Sequence, residues 1–230
     1  MKFKAVIFDF YGTLVQDFGS ASIGELQTEF LKALGVPAEP FLKLWRETTE
    51  QRIVGAFQTV EASIEHVCDL LGVKLTSQQM TRAMEIRLKI IRQTFMPRAD
   101  AVSTLTRLKQ ESYKIGLLSN CSIEIPILWP ETEFAALVDS AIFSSRECLK
   151  KPDLRLYRLA CERLYVQPGE CLYVADGENY ELAAATKVGL HPVLIRNPLA
   201  QKRPDLFKEA AEWQGCAISE LSEVLNLVDD

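Results

Sequence analysis

The chain has 230 residues, 48% of them hydrophobic and 25% charged, and a formal net charge of −5. That length suits one large domain, or a core carrying a smaller insert, with enough buried surface to fold without staples. A net-acidic chain with no basic run gives no support for nucleic-acid binding or for an anionic membrane surface, so any site for an anionic substrate has to be local. The six cysteines form no C-x-x-C pair and there are only two histidines, which argues against structural zinc and for reduced thiols in a cytoplasmic protein. No apolar run approaches a membrane span of about 20 residues, and the N-terminal residues lack the form of a signal peptide.

The first predicted element is the apolar run "FKAVIFDF" (3–10), continuous rather than alternating, as a strand buried on both faces should be. From about residue 16 to 95 no strand pattern occurs. Helical stripes fill the interval: Leu26, Phe30, Leu31 and Leu34; Phe41, Leu44 and Trp45; Ile64, Val67, Leu70 and Leu71; Met80, Met84, Leu88 and Ile91. "LGVPAEP" and "LGVKLTSQQ" break them, with Thr76 or Ser77 as the cap of the last. Some 80 residues of helix far exceed a crossover, so 16–95 reads as an inserted helical module between two parts of a core, 1–15 and 96–230.

Strand and helix then alternate. A stripe of Ala101, Leu105, Leu108 and Tyr113 precedes "KIGLLSN" (114–120), and "VDSAIFS" (138–144) follows. Leu156, Leu159, Ala160 and Leu164 precede "CLYVAD" (171–176), and Leu182, Ala183 and Val188 precede "HPVLI" (191–195). This order predicts an α/β fold, a doubly wound parallel sheet with helices on both faces. Ligands of such sheets bind at the carboxyl ends of the strands. The first strand ends at Asp9 and the second at Ser119-Asn120. Lys150, Lys151 and Asp153 follow the third. The fourth ends at Asp176, with Glu178 and Glu181 just beyond. One acid at a strand end can be a helix cap; four polar deliveries to one rim point to a reaction centre.

These residues resemble the motifs of the haloacid dehalogenase superfamily. "DFYGTL", Asp9 to Leu14, is similar to its first motif, Ser119 to its second, Lys151 in "KKPDLRLY" to its third, and Asp176 with Glu181 in "VADGENYEL" to its fourth. The helical insert matches a cap between motifs one and two. The resemblance implies a Rossmann-like core, Asp9 as nucleophile, and catalytic roles for Tyr11, Ser119 and Lys151. It implies Mg²⁺ held by Asp9, Asp176, Glu181 and the backbone carbonyl of Tyr11. It also implies substrate contacts from Gly12, Thr13 and Asn120.

Two features of the resemblance pull apart. Tyr11 stands where the superfamily's phosphatases carry an acid/base Asp and its haloacid dehalogenases carry Tyr. "LKLWRETTEQ" resembles the dehalogenase segment that supplies an arginine to the substrate carboxylate, which makes Arg46 a candidate, with Trp45, Gln51 and Arg52 as further cap candidates. Tyr157 also fits the dehalogenase pattern, or a core aromatic. Against this, Asp176 and Glu181 are the metal-type acids of the phosphatases. Carboxylates converging on Asp9 without a cation would raise one another's pKa. The expectation is a Mg²⁺-dependent phosphatase of small phosphate esters, acting through an aspartyl-phosphate and slow because a phenol is a poor proton shuttle at neutral pH. The alternatives are a metal-independent 2-haloacid dehalogenase and a non-catalytic phosphate- or partner-binding module.

Overall fold

The computed structural model describes residues 3–16 and 21–229; the expected boundary between core and insert falls partly on 17–20, outside the described residues. Six parallel strands form one sheet in the order β3-β2-β1-β4-β5-β6. They are β1 Ala5–Phe8, β2 Lys114–Ser119, β3 Ser140–Phe143, β4 Cys171–Ala175, β5 His191–Ile195 and β6 Ala217–Ile218. The first five match the apolar runs. The sixth was not expected, because two residues carry no readable pattern.

β1 is central. Its four residues are fully buried and alternate between two cores, Val6 and Phe8 facing one, Ala5 and Ile7 the other. A strand flanked on both edges and covered on both faces has no place for a polar alternation, which is why its sequence is continuous. Helices α1 Ala21–Leu34, α2 Ala38–Glu47, α3 Thr49–Ile53, α4 Val60–Leu70 and α5 Ser77–Arg92 occupy the interval between β1 and β2. They enclose a separate apolar cluster that includes Phe30, Leu34, Phe41, Ile64 and Val67. Thr76, rather than Ser77, caps α5: its Oγ1 accepts the Gln79 amide while Gln79 Oε1 accepts the Thr76 amide. Gln79 at the third helical position makes that reciprocal box, a contribution of about 1 kcal/mol.

The remaining helices are α6 Ala101–Gln110, α7 Glu124–Leu128, α8 Ser144–Glu147, α9 Leu154–Leu164, α10 Glu181–Val188, α11 Lys208–Glu212 and α12 Val224–Asp229. Leu105 and Leu108 of α6 and Val224 and Val228 of α12 pack on one face of the sheet. Leu156 and Leu164 of α9 and Leu182 and Ala185 of α10 pack on the other. The two passages between core and insert run side by side, with Val15 bridged to Pro97 and the Gln16 amide donating to Met96 O. The insert also touches the rim of the sheet directly. Ser144 Oγ donates to Ile53 O, Lys150 pairs with Glu50, and Gly55, at φ +71°, lies so close that a Cβ would sit 2.1 Å from Ser145 O. Among the described residues, no helix is long and apolar enough to cross a membrane.

Candidate active site

The strand order reverses at β1, and the register carries the functional groups to that point. Phe8 pairs with Leu117 and with Val174, so Asp9 stands one residue short of Ser119 on one side and of Asp176 on the other. Asp9 is held there by its own amide, which donates to Val174 O at 2.9 Å. The turn that follows needs Gly12: its φ is +74°, and a Cβ would sit 2.0 Å from Asp176 Oδ2.

Lys151 reaches into the same place from the segment before α9. Its Nζ donates to Asp9 Oδ1 at 2.5 Å and to Glu181 Oε2 at 2.6 Å. Glu181 Oε2 also accepts from Tyr173 Oη at 2.7 Å, and Glu181 Oε1 accepts the Gly177 amide at 3.2 Å. Asp176 accepts from Asn197 Nδ2 at 2.8 Å and from the Glu178 amide at 3.2 Å. Asp9, Asp176 and Glu181 are all buried, and each presents a carboxylate oxygen within 4.8 Å of the others. With all three ionised, one ammonium would leave two negative charges uncompensated in this buried cluster.

The titration behaviour follows. Burial lifts the Asp9 carboxyl to about 6, with Lys151 pulling it down and Glu181 pushing it up. Burial, then Glu181 and Asp9, push Asp176 well above the usual carboxylate range. Burial works against the Lys151 ammonium, yet Asp9 and Glu181 hold its proton well above the ordinary lysine value. An all-oxygen donor set with surplus negative charge fits a hard divalent cation such as Mg²⁺.

A cavity of about 550 Å³ lies over these groups. Its floor includes Asp9, Ser119, Asn120, Lys151 and Glu181, and its roof includes Phe30, Phe41, Trp45 and Ile90 of the insert. Ser119 Oγ is buried and has no hydrogen-bond partner among the described residues. Tyr11 lines the cavity, but its hydroxyl is paired with Thr94 at 2.9 Å, and burial raises its pKa. Asn120 also lines it, with its amide engaged by the backbone of Lys151.

The other residues singled out in the sequence lie in varied surroundings. Arg46 is exposed and does not line the cavity. Phe41 and Trp45, one helical turn apart, face inward, and the next residue points about 100° away. Arg52 and Arg87 line the cavity instead. Gln51 is exposed. Gly12 and Thr13 do not line the cavity: the Thr13 amide closes its own turn on Phe10 O at 3.3 Å, and the Thr13 hydroxyl is buried with no partner among the described residues. Asp153 is no part of the acid cluster; it caps α9 by accepting the Arg155 amide. Tyr157 is fully buried, stacked edge-on against Tyr173.

Other residues had not been singled out. Arg87 donates to Glu124 Oε1 at 2.7 Å, and its guanidinium lies 5.0 Å from the Trp45 ring, with Arg52 at 4.0 Å. Its spacing of four from Ala83 and from Ile91 was the available signal. Asn197 follows β5, so the strand-end rule used for the other strands would have found it. Tyr173 lies inside an apolar strand and gave no signal at all.

A model of the haloacid dehalogenase-like hydrolases matches residues 3–189. The chain belongs to that family. As such a hydrolase it is 28% identical, over 84% of its own length and 82% of the relative's, to the (S)-2-haloacid dehalogenase 4A of Burkholderia cepacia. It is 24% identical to the glyceraldehyde 3-phosphate phosphatase of Methanothermobacter thermautotrophicus, over 88% of this chain and 89% of that one. Its fold matches the L-2-haloacid dehalogenase of Xanthobacter autotrophicus with a TM-score of 0.63 at 18% identity, covering 99% and 98% of the two chains. The HAD hydrolase fold and the family are therefore shared with enzymes of both chemistries.

Proposed function

We propose that this hydrolase is a Mg²⁺-dependent phosphatase of small phosphate esters that works through an aspartyl-phosphate on Asp9. The observation that carries the reading is the buried trio of Asp9, Asp176 and Glu181, which one lysine cannot neutralise. Mg²⁺ bound by these carboxylates would supply the missing positive charge next to the phosphoryl group.

The chain's own residues supply the rest. Lys151 keeps Asp9 oriented and lowers the repulsion between its carboxylate and an incoming phosphate. Ser119 Oγ offers its hydroxyl hydrogen to a phosphoryl oxygen. An Asp9 oxygen attacks phosphorus in line, the bond from phosphorus to the ester oxygen breaks, and the alcohol oxygen leaves with the electron pair. Water then attacks the phosphorus of the aspartyl-phosphate, the bond from phosphorus to the Asp9 oxygen breaks, inorganic phosphate and the Asp9 carboxylate are released, and the proton lost by the water is taken up through solvent by the alkoxide. With Tyr11 in place of an acid, the leaving oxygen gets no proton from that position, so aryl and acyl phosphates are the favoured substrates. Residues 16–95 act as a cap over 1–15 and 96–230, and exclude water from the cavity. Six free cysteines support a cytoplasmic setting.

A metal-independent 2-haloacid dehalogenase is the second reading, favoured by Tyr11 and by the identity to haloacid dehalogenases. The deciding experiment measures p-nitrophenyl phosphate hydrolysis across a Mg²⁺ titration, beside chloride release from 2-chloropropionate in EDTA. Phosphate release that requires Mg²⁺ is expected. Chloride release without metal overturns the phosphatase reading. Ligand binding without turnover of either compound, unchanged in Asp9→Asn, would instead favour a non-catalytic binding module.

A further inference from the structure

Thr94 fixes the direction of one hydrogen bond at the edge of the cavity. A threonine hydroxyl carries a single hydrogen, and Thr94 Oγ1 donates it to Ile91 O at 2.7 Å. Tyr11 Oη lies 2.9 Å from the same Oγ1, so at that contact Tyr11 is the donor. The bond joins two distant parts of the chain. Tyr11 stands two residues after Asp9, and Thr94 stands two residues beyond α5, where the insert returns to the core. Thr94 is 4% exposed and Tyr11 is half-buried. Both residues line the cavity. The backbone of Tyr11 is bridged to Val15, and Val15 to Pro97, so all of these contacts gather at the base of the insert.

We propose that Tyr11 is a positioning residue that ties the loop carrying Asp9 to the returning end of the helical insert and holds the insert closed over the cavity. This rests on the reading of 16–95 as a cap. The roof of the cavity belongs to the insert, so movement of the insert relative to the floor changes how wide the way in stands. That motion turns on the paired passages at 14–16 and 94–97, where the tie lies. An aspartate at position 11 is too short to make the same bond. The tyrosine therefore exchanges a proton donor for a strut, and closure is linked to the placement of the nucleophile.

Hydrogen exchange reads the tie without any assumption about the chemistry. The Thr94 and Phe95 amides donate to Ile91 O and Arg92 O and report opening at the base of the insert. In Tyr11→Phe and in Thr94→Val these amides should exchange roughly two- to tenfold faster, the range for losing one hydrogen bond. The double variant should be no faster than the faster single variant, because both substitutions remove the same bond. Thr94→Ser, which keeps the hydroxyl, should match the wild type, and the amides of β4 should not change in any variant. In p-nitrophenyl phosphate kinetics, KM should rise by more than kcat falls. Unchanged exchange in Tyr11→Phe overturns the proposal, as does additivity in the double variant or equal acceleration across β4. Mg²⁺-stimulated turnover with unchanged exchange would remove the tie and leave the phosphatase reading standing. Altered exchange without turnover would do the reverse.

Discussion

Asn120 holds the backbone of Lys151 on both sides of its Cα: Asn120 Oδ1 accepts the Lys151 amide at 2.8 Å, and Asn120 Nδ2 donates to the Lys151 carbonyl at 3.2 Å. Asn120 ends the run of β2 and Lys151 precedes α9, so two segments that share no strand pairing are locked at the rim. The ammonium of Lys151 reaches both Asp9 and Glu181 from that fixed backbone. Asn120→Ala should free the segment and lower kcat on p-nitrophenyl phosphate by roughly 10- to 100-fold, as small displacements at a reaction centre do. Two lost hydrogen bonds, about 1 kcal/mol each, should lower Tm by roughly 4–8 °C at this chain length. A variant with wild-type kcat would show that Lys151 is placed by other contacts.

The proton-shuttle position gives a gain-of-function test. A missing general acid typically removes about 10²- to 10⁴-fold in rate. Tyr11→Asp places a carboxyl two residues after the nucleophile, and it should raise the hydrolysis of alkyl phosphates at least tenfold relative to that of p-nitrophenyl phosphate, whose leaving group needs little protonation. The ratio of the two rates is the measurement. An unchanged ratio would mean that protonation of the leaving group is not what limits the wild type.

Much of this site was legible because strand ends are local features. Asp9, Ser119 and Asp176 each close a continuous apolar run, and Lys151 precedes the proline and helix pattern that follows β3. The insert was legible because four helical stripes replaced a strand. What stayed hidden depends on phase and register. Whether Arg46 or Arg52 faces the cavity is decided by where α2 stops at Glu47 and α3 restarts at Thr49, a break of one residue that no apolar stripe marks. Tyr173 meets Glu181 only because α10 begins beside the end of β4. The Tyr11 hydroxyl meets Thr94 across 83 positions, and no local pattern encodes such a pairing.

Arg87 and Glu124 form an ion pair from α5 to α7, with the Glu124 side chain fully buried. Burial alone would raise the Glu124 carboxyl, but the Arg87 guanidinium and a hydrogen bond from Ser122 hold it below the usual value. The unfolded chain therefore binds this proton more readily than the native one. The pair's contribution to stability should be full above the unfolded pKa, near 4.3, and should vanish as pH falls through the lower native value. Arg87→Met leaves a buried carboxylate without its partner and should cost roughly 3–5 kcal/mol at pH 7. That deficit should shrink below pH 4. Urea unfolding of both proteins from pH 7 to pH 3 measures it. A deficit that does not vary with pH would assign the loss to packing rather than to charge.

Removing one acid from the trio tests the metal reading through stability alone. Asp176 accepts two hydrogen bonds, and Asp176→Asn keeps one of them, a loss of about 1 kcal/mol. Like charges about 5 Å apart repel by roughly 3 kcal/mol at an effective dielectric constant near 20, so relief of charge should win. Without divalent cations, Asp176→Asn should be more stable than the wild type. The sign with pH follows from the raised native pKa of Asp176. Its protonated form stabilises the native state fully below the unfolded value near 3.9, and that stability is lost as pH rises through the native value. The advantage of the variant should therefore grow with pH. Millimolar Mg²⁺ should reverse the ranking, because a ligand that binds only the native state adds RT ln(1 + [L]/Kd) to the wild type and little to the variant. Thermal unfolding of both proteins in EDTA and in Mg²⁺ gives the four values needed. Equal Mg²⁺ shifts in wild type and variant, or no shift in either, would remove Asp176 from the metal site and with it the main support for phosphatase chemistry.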